Sequence, residues 1–123
     1  MVTFTGLEPI IDNMSATDRV FTYSALDDVI TLGDDGTAAN GLSRIATMGT
    51  AETVDFTTPS GSLTVNMGDG DDSITVSNLD TGTFAVTVNG GAGADNITGG
   101  GGADLLNGDG EDDVIVGLSL IHI

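Results

Sequence analysis

Cysteine is absent from this sequence, and histidine occurs once, at His122. A disulfide framework and thiolate metal sites are therefore excluded, and one imidazole is too few for the usual zinc ligand sets. No apolar run reaches the ~18 residues of a membrane-spanning helix. Met1 is followed by neither a basic segment nor a long apolar one, so we expect no signal peptide here. The export signal of any secreted parent protein would lie elsewhere.

Positive charge is also scarce. The 123 residues include 2 Lys and Arg against 19 Asp and Glu, which gives a formal net charge of -17. This excess excludes nucleic acid and anionic membrane surfaces as partners, because both repel a protein of this charge. The hydrophobic fraction of 39% is too high for a disordered acidic tail, so we expect the acids on a folded frame. Carboxylate and carbonyl oxygens are the metal ligands left, and they suit hard cations such as Ca²⁺.

Glycine and aspartate are abundant, and they recur at fixed intervals. When Leu63 is placed on Val86, "LTVNMGDGDDSIT" (63–75) superimposes on "VTVNGGAGADNIT" (86–98). From Gly90 the sequence follows a shorter nonapeptide period, and each unit ends in Asp-x-apolar-x; the units are 90–98, 99–107 and 108–116. A similar phrase without the glycines, "DDVITL" at 27–32, is interpreted as a degenerate earlier repeat.

Short runs rich in β-branched residues alternate with turn residues and predict strands. These runs are 20–23, 53–56, 62–65, 74–76 and 84–88. Residues 38–48 show the only weak helical signal, and we predict a loop there. Strands too short to bury their own apolar residues, repeated at fixed spacing, predict an all-β parallel β-roll or β-helix solenoid with Gly/Asp-rich turns. We expect wide degenerate coils over 1–66, a tight roll over 67–116 and a non-repeat tail over 117–123.

Two nonapeptide units make one coil, so residues two units apart become stacked neighbours at about 4.8 Å. Asp95 and Asp113 are therefore predicted to face one gap, while the apolar residues Ile97, Leu106 and Ile115 point inward. Glycines allow the intervening turn to direct its carbonyls to one side. Two carboxylates and several carbonyls could supply the six to eight oxygens that calcium prefers.

The pattern Gly-Gly-x-Gly-x-Asp-x-apolar-x resembles the RTX, or haemolysin-type, calcium-binding nonapeptide repeat, whose fold is a calcium-filled parallel β-roll. "GGAGADNIT" and "GGGGADLLN" match at every defined position, and "MGDGDDSIT" departs at the first glycine. In "GDGEDDVIV" (108–116), Asp109 and Glu111 replace two glycines, which leaves the geometry of that turn open. A frame shifted by one position would make Asp112 the ligand; we favour Asp113.

The resemblance implies particular metal ligands. Asp95 and Asp113 would share one ion with carbonyls near Gly91, Gly93 and Gly110, and Asp72 would pair with Asp95 across the longer coil. Asp104 lies on the opposite side, where its best acidic neighbour is Asp80 upstream. The full implied set is Gly70, Asp72, Gly91, Gly93, Asp95, Gly100, Gly102, Asp104, Gly110 and Asp113.

Four upstream acids allow two interpretations. Asp27, Asp28, Asp34 and Asp35 could form a further site at the turn of a wide coil, or they could be solvated turn formers. Short acidic side chains commonly bond their own backbone in turns, so we favour the second.

The sequence therefore predicts a calcium-binding structural module of a larger secreted or cell-surface protein, folding on calcium binding and not an enzyme. One alternative is an adhesive surface module that contacts carbohydrate or protein, with calcium only structural; another is a glycine-rich turn array without metal. A fragment of a calcium-dependent β-helix polysaccharide lyase is less favoured. Such an enzyme needs a base and charge stabilisers beside the ion, and Arg19 and Arg44 both lie outside the repeats.

Overall fold

The computed structural model describes residues 2–4, 10–12, 17–23, 25–37, 40–48, 52–77, 86–100 and 104–117. These residues form strands and turns and contain no helix, so the all-β prediction is confirmed. No helix that could cross a membrane occurs in this part of the chain. The strands are β1 (Val2–Phe4), β2 (Ile10–Asp12), β3 (Asp18–Thr22), β4 (Val29–Asp34), β5 (Leu42–Met48), β6 (Glu52–Thr57), β7 (Ser62–Asn66), β8 (Ser73–Val76), β9 (Val86–Gly91), β10 (Asn96–Thr98), β11 (Leu105–Asp109) and β12 (Val114–Val116).

The strands form two sheets. The first sheet has the order β1-β3-β7-β9-β11, and all its pairs are parallel. The second sheet has the order β12-β10-β8-β4-β5-β6-β2; its β4–β5 and β5–β6 pairs are antiparallel and the others parallel. The parallel pairing predicted throughout is therefore wrong for the β4–β5 and β5–β6 pairs. The connection from Met48 to Glu52 is very short, and such a connection suits a hairpin, whereas a parallel crossover needs a dozen or more residues.

The loop predicted for residues 38–48 is also wrong, because β5 occupies residues 42–48 and lies between β4 and β6. Its inward positions are Ser43, Ile45 and Thr47, all buried. Two of these three residues are polar, so the sequence lacks the apolar alternation that identifies a half-buried strand. The Ser43 hydroxyl is 2.7 Å from that of Thr58, which satisfies its hydrogen bonding.

Strand register confirms the two offsets predicted from the repeats. In the second sheet Ser73 pairs with Asn96, as the alignment of 63–75 with 86–98 requires, and Asn96 pairs with Val114, two nonapeptide units further on. The first sheet repeats these offsets, since Thr64 pairs with Thr87 and Thr87 with Leu105. The offset between β4 and β8, where Val29 pairs with Ser73, is longer. The reason is that β5 and β6 lie between these two strands in sequence.

Alternate residues of both sheets meet in one apolar core. Ile97 and Leu106 are fully buried, as predicted, while Ile115 is partly buried and packs against the core. The Phe21 and Phe56 rings pack with centroids 5.0 Å apart. The guanidinium of Arg19, also buried, lies 5.5 Å from the Phe56 ring centroid. The core therefore holds together strands from both ends of the described chain, from β3 to β11.

Candidate metal centre

Four turns lie one above another where the chain passes from the first sheet to the second. These stacked turns are 23–28, 67–72, 90–95 and 108–113, and we call the gap between two consecutive ones a step. The amide after each later turn donates a hydrogen bond to the aspartate carbonyl of the turn before it. The bonds are Ser73 to Asp28 at 2.8 Å, Asn96 to Asp72 at 2.8 Å and Val114 to Asp95 at 2.7 Å. All three steps therefore share one register.

The last residue of every stacked turn is an aspartate. Asp28, Asp72, Asp95 and Asp113 form what we call the aspartate ladder. The N–H of each donates to Oδ1 of the next: Asp28 to Asp72 at 2.8 Å, Asp72 to Asp95 at 3.0 Å and Asp95 to Asp113 at 2.9 Å. The structure thus brings together the carboxylates of Asp95 with Asp113 and of Asp72 with Asp95, and it places Asp113 rather than Asp112 in register.

The second carboxylate oxygen of three ladder residues has no hydrogen-bond partner. Oδ2 of Asp28, Asp72 and Asp95 is buried and accepts no hydrogen bond, and these residues are 8%, 2% and 1% exposed. The chain's two basic side chains bond elsewhere, Arg19 to the Thr57 carbonyl and Arg44 to Asp55. A buried carboxylate oxygen without a partner is costly, and a metal cation, a proton or an ordered water would each satisfy it.

Burial raises the pKa of Asp72 to about 6, and the charges of Asp95, Asp28 and Asp27 contribute further. Burial likewise raises the pKa of Asp95, with a smaller contribution from Asp113. The pKa of Asp28 is raised by burial first and then by Asp27. Desolvation and like-charge repulsion both oppose the ionised form. The ladder therefore concentrates negative charge that the folded chain alone does not neutralise.

Two glycines leave space beside the ladder carboxylates. A Cβ added to Gly90 would lie against Asp95 Oδ2 and 2.7 Å from the Gly108 carbonyl oxygen, and one added to Gly108 would lie against Asp113 Oδ2. A carboxylate oxygen and a carbonyl oxygen thus converge in the step between turns 90–95 and 108–113. Such oxygens are the ligands that calcium takes in proteins, so the residues present fit this ion.

The second and fourth positions of three stacked turns share a left-handed backbone. The φ angles are 96° and 111° at Gly68 and Gly70, 102° and 125° at Gly91 and Gly93, and 77° and 69° at Asp109 and Glu111. Side chains at Gly91 and Gly93 would collide with the carbonyls of Gly68 and Gly70. The last turn therefore keeps the glycine conformation without its glycines.

Asp104 lies on the opposite side of the sheets and is 1% exposed. Its Oδ1 accepts the Val86 N–H at 3.1 Å, its Oδ2 has no partner, and burial raises its pKa. No acidic side chain of the described residues contributes to that shift. Gly100 is buried nearby in sequence, whereas Gly102 and the predicted partner Asp80 lie outside the described residues.

The upstream acids divide between the two interpretations. Asp34 accepts the Gly36 N–H at 3.1 Å and Asp35 accepts the Thr37 N–H at 2.9 Å, as turn formers do. Asp27 is exposed and accepts the Asp71 N–H at 2.9 Å. The solvated interpretation is wrong for Asp28, which is buried in the ladder. The sequence does indicate the ladder position of Asp28, since "DDVIT" at 27–31 repeats as "DDSIT" at 71–75. Because β5 and β6 lie between the two copies, their spacing does not fit the expected period.

Sequence reasoning also missed an asparagine ladder next to the turns. The side-chain Nδ2 of Asn89 donates to Asn66 Oδ1 at 2.8 Å, and the side-chain Nδ2 of Asn107 donates to Asn89 Oδ1 at 2.8 Å. Such ladders of identical amides stabilise strands stacked in register. The alignment of 63–75 with 86–98 superimposes Asn66 on Asn89, and that coincidence was the available signal.

Comparison with known proteins bears on the last two stacked turns. No curated protein and no solved structure matches the chain. The family model of the RTX calcium-binding nonapeptide repeat (four copies) matches residues 81–118, a range that contains turns 90–95 and 108–113 and Asp104 but not turns 23–28 and 67–72. Residues 81–118 of this chain are thus similar to the RTX calcium-binding nonapeptide repeat.

Proposed function

We propose that the chain binds Ca²⁺ in the two steps between turns 67–72, 90–95 and 108–113, and that binding folds and stiffens it as a structural module of a larger secreted or cell-surface protein. The observation that carries this proposal is the set of buried, unpartnered Oδ2 atoms of the aspartate ladder. A binding role is favoured over a catalytic one because these carboxylates repeat along the stack instead of converging on one pocket.

In Asp72, Asp95 and Asp113, the Oδ1 atom accepts a backbone N–H from the preceding turn. This bond fixes the orientation of the carboxylate and leaves Oδ2 for the ion. In the last step Asp95 and Asp113 would hold calcium with carbonyls near Gly91, Gly93, Gly108 and Gly110. In the step between turns 67–72 and 90–95, Asp72 and Asp95 would hold calcium together with carbonyls of the turn that contains Gly70. The bound ion would supply the positive charge that these steps lack.

Folding and binding are coupled in this proposal. Ordering the backbone costs about 1–2 kcal/mol per residue, and the net charge of -17 adds self-repulsion. Calcium that binds only the folded chain stabilises it by mass action. Extracellular calcium modules have dissociation constants of about 10⁻⁴–10⁻³ M. The module would therefore remain unfolded in the cytosol and fold after export.

Circular dichroism of the whole chain with excess EGTA and with millimolar CaCl₂ tests this proposal. We expect the strand signal to increase on adding calcium and to be lost again on chelation. Magnesium at the same ionic strength is the control, because it prefers a smaller octahedral site and retains its waters. A spectrum that is identical in EGTA and calcium would contradict the proposal.

A carbohydrate or protein partner and the division into 1–66, 67–116 and 117–123 stay predictions from the sequence. Most of the proposed tail, 118–123, lies outside the described residues.

A further inference from the structure

Turn 23–28 contains none of the glycines of the repeat, yet it occupies the first position in the stack. The Tyr23 N–H donates to the Asn66 carbonyl at 2.9 Å, just as the Met67 N–H donates to the Asn89 carbonyl at 2.9 Å. These two bonds join the same positions of consecutive turns. At its described residues, turn 23–28 is therefore stacked in the register of the repeats, although Leu26 at its fourth position lacks the positive φ of Gly70 and Gly93.

A second contact repeats at the fourth position of the turn. A Cβ added to Gly70 would lie 2.9 Å from the Leu26 carbonyl oxygen, and one added to Gly93 would collide with the Gly70 carbonyl oxygen. The Leu26 carbonyl group therefore lies beside Gly70 in the first step, with its carbon and its oxygen both 2.9 Å from the Cβ position of Gly70.

The first step also collects carboxylates. Asp72 Oδ1 accepts the Asp28 N–H at 2.8 Å, and on the exposed side Asp27 Oδ1 accepts the Asp71 N–H at 2.9 Å. Asp28 and Asp72 are more than nine-tenths buried, and Oδ2 of each has no hydrogen-bond partner. Among the described residues, no basic side chain bonds to Oδ2 of Asp28 or of Asp72.

We propose that the step between turns 23–28 and 67–72 is a further Ca²⁺ site, with the carboxylates of Asp28 and Asp72 as its side-chain ligands. This inference rests on the proposed function but concerns a step outside residues 81–118, in a turn with no repeat glycine. An ion here joins β3 and β4 to β7 and β8, on either side of the antiparallel β5–β6 insertion. Calcium would therefore also order the part of the chain that precedes the repeats.

Terbium luminescence can address this step selectively. Tyr23 is the only tyrosine in a chain without tryptophan, and it opens turn 23–28. Tb³⁺ substitutes for calcium at oxygen sites, and light absorbed by tyrosine excites a Tb³⁺ ion only at short range. Tyrosine-sensitised emission, displaced by excess CaCl₂, therefore reports mainly on the first step.

Three variants separate the outcomes. We expect Asp28→Asn to lose most of the sensitised emission and to bind one calcium fewer per chain by calorimetry. Asp35→Asn removes the same charge from an exposed turn outside the ladder and should change neither quantity. Asp113→Asn, at the far end of the ladder, should lose calcium but keep most of the emission.

The proposal is overturned if the wild type binds calcium while Asp28→Asn binds the same number of ions with undiminished emission; the proposed function would then stand. If the wild type binds no calcium, both fail. Should Asp28→Asn not fold, hydrogen exchange of the wild type decides. Amides of 23–28 must become protected on adding calcium, and protection confined to 90–113 would exclude the site.

Discussion

At the scale of single residues, the last stacked turn holds two acids in a conformation that favours glycine. Asp109 and Glu111 have φ angles of 77° and 69°. The left-handed region costs a residue with a Cβ roughly 1–2 kcal/mol. The added freedom of glycine in the unfolded chain costs roughly 0.5–1 kcal/mol. The strain is therefore the larger of the two terms at these positions.

Asp109→Gly should consequently stabilise the calcium-bound protein by about 0.5–1 kcal/mol, as measured by urea unfolding in saturating calcium. Asp112→Gly is the matched control, since it removes the same charge from a nearby position where φ is not positive, and it should destabilise the protein. Equal destabilisation by both substitutions would show that Asp109 is not strained.

A second prediction at this scale concerns pH in the absence of calcium. Burial raises the pKa of Asp72 to about 6 from 3.8, so the folded state binds this proton more tightly than the unfolded state. Stability should rise as the pH falls through about 6 and be lost as the pH rises through it. In calcium-free buffer the strand signal in circular dichroism should therefore be greater at about pH 5 than at about pH 7.5. Asp72→Asn should weaken this dependence, and an unchanged slope would assign the effect to other groups.

At the scale of elements, the β5–β6 pair is the part of the fold that departs from the repeat. Arg44 and Asp55 face each other across this pair and form two hydrogen bonds, at 2.5 and 2.8 Å. The Arg44 side chain is 43% exposed and that of Asp55 13%. Bidentate geometry strengthens such a pair, but solvent screening keeps its contribution to about 1 kcal/mol or less.

A double-mutant cycle of Arg44→Ala and Asp55→Ala should give a coupling energy of about 0.5–1 kcal/mol in urea unfolding. The coupling should decrease in high salt, because part of the pair is exposed to solvent. A coupling energy of zero would mean that the two strands are held by backbone pairing and core packing alone.

The strands that sequence predicted are those with apolar alternation, such as β7 and β8. The offsets between stacked strands of the repeats followed from the repeated aspartates and were also correct. Sequence did not predict β5, whose buried Ser43 and Thr47 interrupt the pattern. It did not predict the antiparallel pairing either, because a search for repeats assumes that each unit stacks on the last. Asp28 was considered as a site residue, but the solvated interpretation was favoured, and the β5–β6 insertion separates it in sequence from its partner Asp72.

At the scale of the whole molecule, a net charge of -17 is held on sheets with a narrow core. Repulsion among these acids opposes compaction, while ions shared between consecutive turns would convert it into attraction. Calcium would therefore act along the entire stack and not at one isolated site. The stability of the folded chain should depend on the free calcium concentration and much less on ionic strength.

The most direct test of this account is the number of calcium ions bound, measured by isothermal titration calorimetry for the wild type and two variants. Asp95 borders two steps of the ladder, whereas Asp113 borders one among the described residues. We predict that Asp95→Asn loses two ions per chain and that Asp113→Asn loses one. Equal losses, or a wild-type chain that binds no calcium, would contradict the claim that ions lie between stacked turns and share their aspartates.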